Sequence, residues 1–187
     1  GGSREKSAQW QTIVNGHRDD GCGSAEGEKF SEKGFALHFK GSEFRAADTV
    51  PLDIRWGGHV RFKLKLPEEG EYQSCLAAYM GVVEVHFLIP PEALAMNEEA
   101  KAHQDAGMWT PFATFDTTKY RSVYFHQFEE QFPPAMHSNG TQIRFTQIAF
   151  IDEQDHFALD DIQIFRLFEP GYQNLPKFRA QQAEGNA

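Results

Sequence analysis

The pattern that decides the fold is clearest in residues 59–66, whose sequence is His-Val-Arg-Phe-Lys-Leu-Lys-Leu. In an extended chain, successive side chains point to opposite faces. The even-numbered residues of this segment are all apolar and share one face. The other face carries His59 and three cations, Arg61, Lys63 and Lys65. Because one face is apolar and the other is charged, we predict a strand of an antiparallel sheet with one face in water.

Similar segments recur along the chain and are separated by residues that favour turns. They are residues 35–39, 82–89, 122–128, 142–150 and 157–165. The segment 82–89 is apolar on both faces except at Glu84 and His86, which favours a more deeply buried strand. The sequence therefore predicts an all-β fold, namely a two-sheet antiparallel jelly roll or sandwich.

One segment departs from this pattern. Residues 91–102 begin with Pro and are rich in Ala and Glu, so we predict one short helix inserted between strands. A Glu-Pro-Gly run that starts at Glu169 ends the last strand. We therefore divide the chain into a flexible N-terminus over residues 1–9, a single domain over 10–168, and a C-terminal linker or docking tail over 169–187.

The composition excludes several classes of protein. Asp and Glu number 27 against 18 Lys and Arg, which gives a net charge of −9. Such a chain repels nucleic acids and anionic membranes. Apolar residues make up 40% of the chain, with 17 Phe, and this supply can build a sizeable core. No apolar run approaches the roughly 20 residues that a transmembrane helix needs.

Several motifs, taken in order, resemble a reelin repeat, specifically its jelly-roll subrepeat. They are an opening strand and Cys-Gly turn at residues 10–14 and 21–23, a Leu-His-Phe-Lys-Gly run at 37–41, the strand at 60–66, Cys75, a Thr-Gln-Ile-Arg-Phe run at 141–145, and a Phe-Ala-Leu-Asp-Asp-Ile run at 157–162. The resemblance spans residues 10–165. The chain departs from the family at Phe157, where Trp is usual, and at the Ala- and Glu-rich segment that replaces the middle hairpin.

The resemblance implies a non-catalytic, extracellular module of a larger protein, which contacts a protein partner or neighbouring domains, as in cell adhesion. It also implies a disulfide between Cys22 and Cys75, the only two cysteines. This bond would close a loop of about fifty residues and stabilise the fold by a few kcal/mol. A disulfide requires an oxidising compartment; the alternative is a pair of reduced thiols in a cytoplasmic protein.

A structural Ca²⁺ is a further implication of the resemblance. Apolar parity reverses between Leu159 and Ile162, which predicts a bulge that re-aims the carboxylates of Asp160 and Asp161. Ca²⁺ takes roughly six to eight oxygen ligands, and further oxygens are available from Glu26 or from the acidic loop 152–155. The alternative is that Asp160 bonds to the backbone and Asp161 is solvated.

Three further features are candidate recognition sites. The cations Arg61, Lys63 and Lys65 form a stripe that would suit an acidic partner, although such residues usually pair with carboxylates on the next strand. Asn139 begins the glycosylation sequon Asn-Gly-Thr in a predicted turn. Five aromatic residues are candidates for stacking on sugar rings if they are exposed, and otherwise belong to the core: Tyr72, Tyr79, Trp109, Tyr120 and Tyr124.

No catalytic motif is evident in the sequence. The eight His residues lack metal-binding spacing, no Gly-x-Ser-x-Gly motif surrounds a Ser, and Glu84 is the only unusual carboxylate, so we predict no enzyme. Three roles stay open: a protein-binding or structural module, a carbohydrate-binding module, and an intracellular scaffold on the same fold. Exposed aromatic side chains would favour the second role, and reduced cysteines would favour the third.

Overall fold

The computed structural model of the chain describes residues 4–7, 9–19, 22, 35–68, 80–94, 107–151, 153 and 155–169. The strands within these ranges are β1 (Arg4–Ser7), β2 (Trp10–Val14), β3 (Gly16–Asp19), β4 (Ala36–Phe39), β5 (Arg45–Thr49), β6 (Leu52–Asp53), β7 (Gly58–Lys65), β8 (Val82–Leu88), β9 (Thr110–Asp116), β10 (His126–Gln131), β11 (Asn139–Ala149) and β12 (Phe157–Arg166). Two short helices, α1 (Pro91–Leu94) and α2 (Thr117–Tyr120), and a 3-10 turn at Pro134–Met136 lie between strands.

The strands form two antiparallel sheets. The first sheet has the order β10-β7-β12-β4-β3, and β1 pairs with the far end of β12. The second sheet has the order β2-β5-β11-β8-β9, and β6 pairs with one end of β11. Buried residues from both sheets form one apolar cluster, so the sheets pack face to face. The prediction of an all-β jelly-roll sandwich is confirmed.

The alternation predicted for residues 59–66 is confirmed in β7, where Val60, Phe62 and Leu64 are buried. The ring of Phe62 lies 5.5 Å from that of Phe115 in β9 and 5.0 Å from that of Phe145 in β11, measured between centroids. Burying a side chain of this size contributes about 1.5–3 kcal/mol. One residue of the first sheet therefore joins two strands of the second sheet.

Two strands begin later than predicted. Strand β4 begins at Ala36, because Phe35 is exposed and precedes the pairing with β3 and β12. Strand β10 begins at His126, since a turn precedes it in which the Tyr124 amide donates to Ser122 Oγ at 3.0 Å. In both cases the predicted strand includes polar or exposed residues that precede the first paired residue.

The N-terminal segment predicted to be flexible contains strand β1, which pairs with residues 163–166 of β12. Strand β4 covers only residues 157–159 of the same edge, so the rest of β12 offers free backbone groups to another strand. The first sheet thus extends beyond the domain start predicted at residue 10. The predicted helix begins at Pro91 as expected; its continuation over 95–102, and the tail from residue 170, lie outside the described residues.

Candidate functional site

The outward face of the second sheet carries an open cleft of about 440 Å³, which we name the outer cleft. Its lining includes Phe44, His86, Trp109, Arg144, Ile148 and Phe150. Strand β11 lies between β5 and β8, and its Arg144 is in register with Asp48 on one side and His86 on the other. The alternation that buries Ile143 and Phe145 directs Arg144 away from the core.

Arg144 is fixed in the outer cleft by an ion pair and by two aromatic rings. Its Nε and Nη2 atoms donate to the two carboxylate oxygens of Asp48, both at 2.7 Å. The guanidinium carbon lies 4.0 Å from the ring centroid of Trp109 and 5.4 Å from that of Phe44. The side chains of Arg144 and Asp48 are 20% and 12% exposed. A two-pronged pair of this kind holds the guanidinium plane in one orientation.

Phe44 is presented at the rim of the cleft on an anchored backbone. Asn15 Nδ2 donates to the carbonyl of Phe44 at 2.8 Å. The next residue, Arg45, is fully buried, and its Nε donates to the carbonyl of Gly41 at 2.9 Å. The Phe44 side chain is 50% exposed. The loop before β5 therefore holds an aromatic ring in contact with solvent.

A second polar pair lies beside Arg144. Glu84 Oε2 and His86 Nε2 are 2.7 Å apart, and Thr114 Oγ1 donates to the other carboxylate oxygen of Glu84 at 3.4 Å. His86 Nδ1 is buried and has no hydrogen-bond partner among the described residues. Since a buried polar atom without a partner costs free energy, His86 has an unused hydrogen-bonding position. Fixed polar groups next to aromatic rings are features of ligand-binding sites.

A second exposed surface lies where the two ends of the described chain meet. We name it the terminal surface, and its residues are Asp53, Arg55, Trp56, Leu167 and Glu169. Strand β1 brings the N-terminal end of the chain to it, because Arg4 pairs with Arg166. The first and the last of the described residues therefore lie at the same edge of the first sheet.

The terminal surface presents Trp56 on a tight turn. The Gly57 amide donates to the Ile54 carbonyl at 2.8 Å, and the Leu167 amide donates to the Gly57 carbonyl at 3.1 Å. Gly58 has a φ of +141°, and a Cβ there would lie 2.0 Å from the Phe165 carbonyl oxygen, so only glycine fits this turn. Trp56 is 45% exposed. A large aromatic residue is thus held outward on rigid backbone.

Asp53 and Arg55 stabilise the same turn. The Nε and Nη2 atoms of Arg55 each donate to Asp53 at 2.9 Å. The hydrogen bond from Arg55 holds the pKa of the Asp53 carboxyl below its ordinary value.

The predicted cation stripe of β7 is not one exposed surface. Arg61 Nη2 pairs with Glu129 at 2.9 Å and Lys63 Nζ pairs with Asp161 at 3.3 Å. Lys65 is only 3% exposed, so the expectation that it faces water is wrong. Its Nζ donates to the Cys22 carbonyl at 3.0 Å, and burial lowers its pKa to about 8. Cys22 and the ring of Phe125 contact Lys65, which strand alternation alone could not indicate.

The bulge predicted at Asp160 and Asp161 is confirmed. The register of β12 against β7 shifts between Asp160 and Gln163, and Asp161 has a φ of +50°. The Asp161 amide donates to Asp160 Oδ1 at 2.8 Å, and Gln163 Nε2 donates to Asp161 Oδ1 at 2.8 Å. These carboxylates are engaged by protein donors, including Lys63. Glu26 lies outside the described residues, so the calcium site stays a prediction.

Cys22 lies in a buried cluster that the sequence did not predict. The Sγ atom of Cys22 and one ring nitrogen each of His38 and His156 all lie within 4.8 Å of one another. His38 Nε2 and His156 Nδ1 are 2.9 Å apart, and burial, followed by the charges of neighbouring basic residues, lowers the pKa of His156 to about 4. These residues come from distant parts of the chain, so no local spacing could reveal them. Cys75 lies outside the described part of the chain, and the disulfide stays a prediction.

The remaining sequence candidates are dispersed. Asn139 is exposed but begins strand β11 opposite Asp53, so the predicted turn is wrong while glycosylation stays a prediction. Tyr120 packs against the core, Tyr124 is exposed, and Trp109 lies in the outer cleft. Tyr72 and Tyr79 are outside the described residues.

The family of the chain is shown by its sequence. The family model of reelin subrepeat B matches residues 15–164. The chain belongs to the reelin subrepeat B family. This confirms the resemblance found in the order of its motifs. No curated protein sequence matches the chain.

Solved structures with a similar fold include carbohydrate-binding and adhesin domains. A family 29 carbohydrate-binding module from Piromyces equi is 9% identical, with 88% of this chain and 91% of that chain covered and a TM-score of 0.46. Another family 29 module is 11% identical, with 87% and 88% covered and a TM-score of 0.49. The K3 adhesin domain of Lys-gingipain from Porphyromonas gingivalis is 14% identical, with 70% and 72% covered and a TM-score of 0.40. At these values the likeness does not extend to function.

As a reelin subrepeat, the chain is a binding module by family. Reelin repeats occur typically in extracellular proteins. No helix among the described residues is long and apolar enough to span a membrane. Of the residues in the outer cleft, the sequence indicated Trp109 by its residue type, whereas the pairing of Arg144 with Asp48 depends on the order of strands in the sheet.

Proposed function

We propose that this reelin subrepeat is a non-catalytic recognition module of a larger, extracellular protein, and that it contacts a neighbouring module or protein partner through the terminal surface. The family supports a binding role. A disulfide between Cys22 and Cys75, and a structural Ca²⁺ at Asp160, Asp161 and Glu26, are predictions that accompany this extracellular role.

The observation that carries the proposal is the exposed Trp56, which lies near the first and the last of the described residues, Arg4 and Glu169. Trp is enriched among the residues that dominate binding energy at protein interfaces. The turn that holds Trp56 is fixed by hydrogen bonds to Ile54 and Leu167, so little conformational entropy is lost when a partner covers it.

The stripe of β7 supports a docking role less well. Arg61 and Lys63 already pair with Glu129 and Asp161, and Lys65 is buried. An acidic partner would have to displace these carboxylates, which the protein supplies at high effective concentration. The terminal surface requires no such displacement.

The test is to measure, by isothermal titration calorimetry, the binding of this chain to the segment that adjoins it in its parent protein. Trp56→Ala is expected to weaken binding by roughly tenfold or more, because a buried interface Trp contributes about 2 kcal/mol or more. Tyr124→Ala is the control, since Tyr124 is also exposed but lies near the opposite end of β7, where Leu66 pairs with Arg121. Equal affinities for the two variants, with unchanged melting temperatures, would refute the proposed surface.

Carbohydrate binding is the second candidate function. The observation that favours it is the outer cleft, in which Arg144 is fixed between Trp109 and the exposed ring of Phe44. The two candidates use different surfaces and are tested separately.

A further inference from the structure

We propose that the outer cleft binds a neutral carbohydrate, with Arg144 and His86 bonding to its hydroxyl groups and Phe44 packing against a sugar ring. The inference rests on the second candidate function above and names its ligand class and contact residues. It does not depend on the terminal surface.

Arg144 supplies donors that are already oriented. A guanidinium has five N–H groups, and Asp48 accepts two of them. No described residue accepts the others. Because the fork to Asp48 and the rings of Trp109 and Phe44 hold the group in place, a hydroxyl-bearing ligand gains hydrogen bonds without having to order a flexible side chain.

His86 adds a second bonding position next to Arg144. Its Nε2 is engaged by Glu84 at 2.7 Å, and its Nδ1 has no partner in the described part of the chain. A sugar hydroxyl both donates and accepts, so it suits an imidazole nitrogen in either tautomer. An apolar ligand would leave this nitrogen buried and without a partner among the described residues, as it is in the free protein, and would gain no hydrogen bond from it.

The charges of the cleft favour a neutral ligand over an acidic one. The positive charge of Arg144 is balanced by Asp48. Glu84 and Glu43 add negative charge near the cleft, and the whole chain has a net charge of −9. A uronate or sulfated sugar would therefore meet no uncompensated cation among the described lining residues and would be repelled.

The apolar part of the cleft suits a ring with one apolar face. Phe44 and Ile148 are both about half exposed and line the cleft beside Arg144. The volume of about 440 Å³ lies in the range of small-ligand sites, roughly 300–1,000 Å³. An open cleft of mixed polarity fits a sugar better than a long apolar chain, which would require a deeper and drier groove.

The experiment is to screen the full chain on an array of immobilised neutral and acidic oligosaccharides, and to titrate the strongest neutral ligand by calorimetry. We expect binding to neutral oligosaccharides and none to uronates or sulfated sugars. Arg144→Lys keeps the charge but loses the fork, and is expected to weaken binding by roughly tenfold or more. Phe44→Ala is expected to weaken it by about fivefold; because Phe44 is half exposed, this variant tests the site even if Arg144→Lys is unstable.

Tyr124→Ala is the control and should bind as the unaltered chain does. Binding to no neutral oligosaccharide, a preference for acidic ones, or unchanged affinity in folded Phe44→Ala would each overturn the inference. A protein partner that binds at this cleft and excludes all sugars would do so as well. None of these results bears on Trp56, so failure of the carbohydrate site and failure of the terminal surface are distinguishable.

Discussion

The outward faces of the two sheets carry the same chemical groups in different surroundings. On the first sheet, Arg61 pairs with Glu129 and lies 4.9 Å from the ring of Phe165. On the second sheet, Arg144 pairs with Asp48 and lies 4.0 Å from the ring of Trp109. The first pair is 36% and 41% exposed, whereas the second is 20% and 12% exposed.

Burial, and not residue type, distinguishes the surface ion pair of Arg61 from the pair in the candidate site of Arg144. An exposed pair is screened by water and contributes about 0–1 kcal/mol. A partly buried pair is oriented by its surroundings and keeps its remaining donors in fixed directions. Phe44 supplies the additional burial at Arg144, because its loop closes one side of the outer cleft.

The largest effect is expected in the core that both faces share. Phe62→Ala should lower the free energy of unfolding by about 3–5 kcal/mol, because its ring packs between the sheets. Phe35→Ala is the control, since Phe35 is exposed just before β4 of the first sheet and its removal should cost less than about 1 kcal/mol. Urea unfolding measures both changes. If both variants lost a similarly small amount of unfolding free energy, Phe62 would not belong to a core that the two sheets share.

An intermediate effect is expected from removing one carboxylate of each pair. Asp48→Ala leaves the partly buried Arg144 without its partner and should cost about 2–3 kcal/mol, below the range for a fully buried pair. Glu129→Ala removes the partner of the exposed Arg61 and should cost less than about 1 kcal/mol. The comparison of the two faces fails if urea unfolding gives the two variants equal losses.

A pH dependence of stability is expected to separate two lysines of β7. Burial lowers the pKa of Lys65 from 10.5 to about 8. Between these values the unfolded chain binds a proton that the folded chain does not, so this residue makes stability rise with pH from about 8 to 10.5.

Urea unfolding between pH 8 and 10.5 tests whether Lys65 causes this rise in stability. Lys65→Met should remove the rise that Lys65 contributes, whereas Lys63→Met, which alters an exposed pair with Asp161, should retain it. An unaltered pH slope in Lys65→Met would contradict the buried position of this side chain.

The family could be recognised from the order of its motifs, and the core could be read from local periodicity. Alternation in residues 59–66 and 142–150 indicated which apolar side chains are buried, and the parity reversal after Leu159 located the bulge at Asp161. Each of these features involves residues that are close in sequence. A strand pattern acts over a few residues, so it needs no knowledge of the partner strand.

The candidate sites depend on contacts between distant parts of the chain. They can therefore be identified only from the tertiary structure. Arg144 meets Asp48 and His86 because β11 lies between β5 and β8. Lys65 is buried, and it contacts Cys22 and Phe125, which are distant from it in the sequence. Alternation determines which face a side chain takes, but strand order and loop packing determine whether that face is covered. For this reason the sandwich and its core could be predicted from the sequence, whereas the charged residues of the candidate sites could be identified only from the fold.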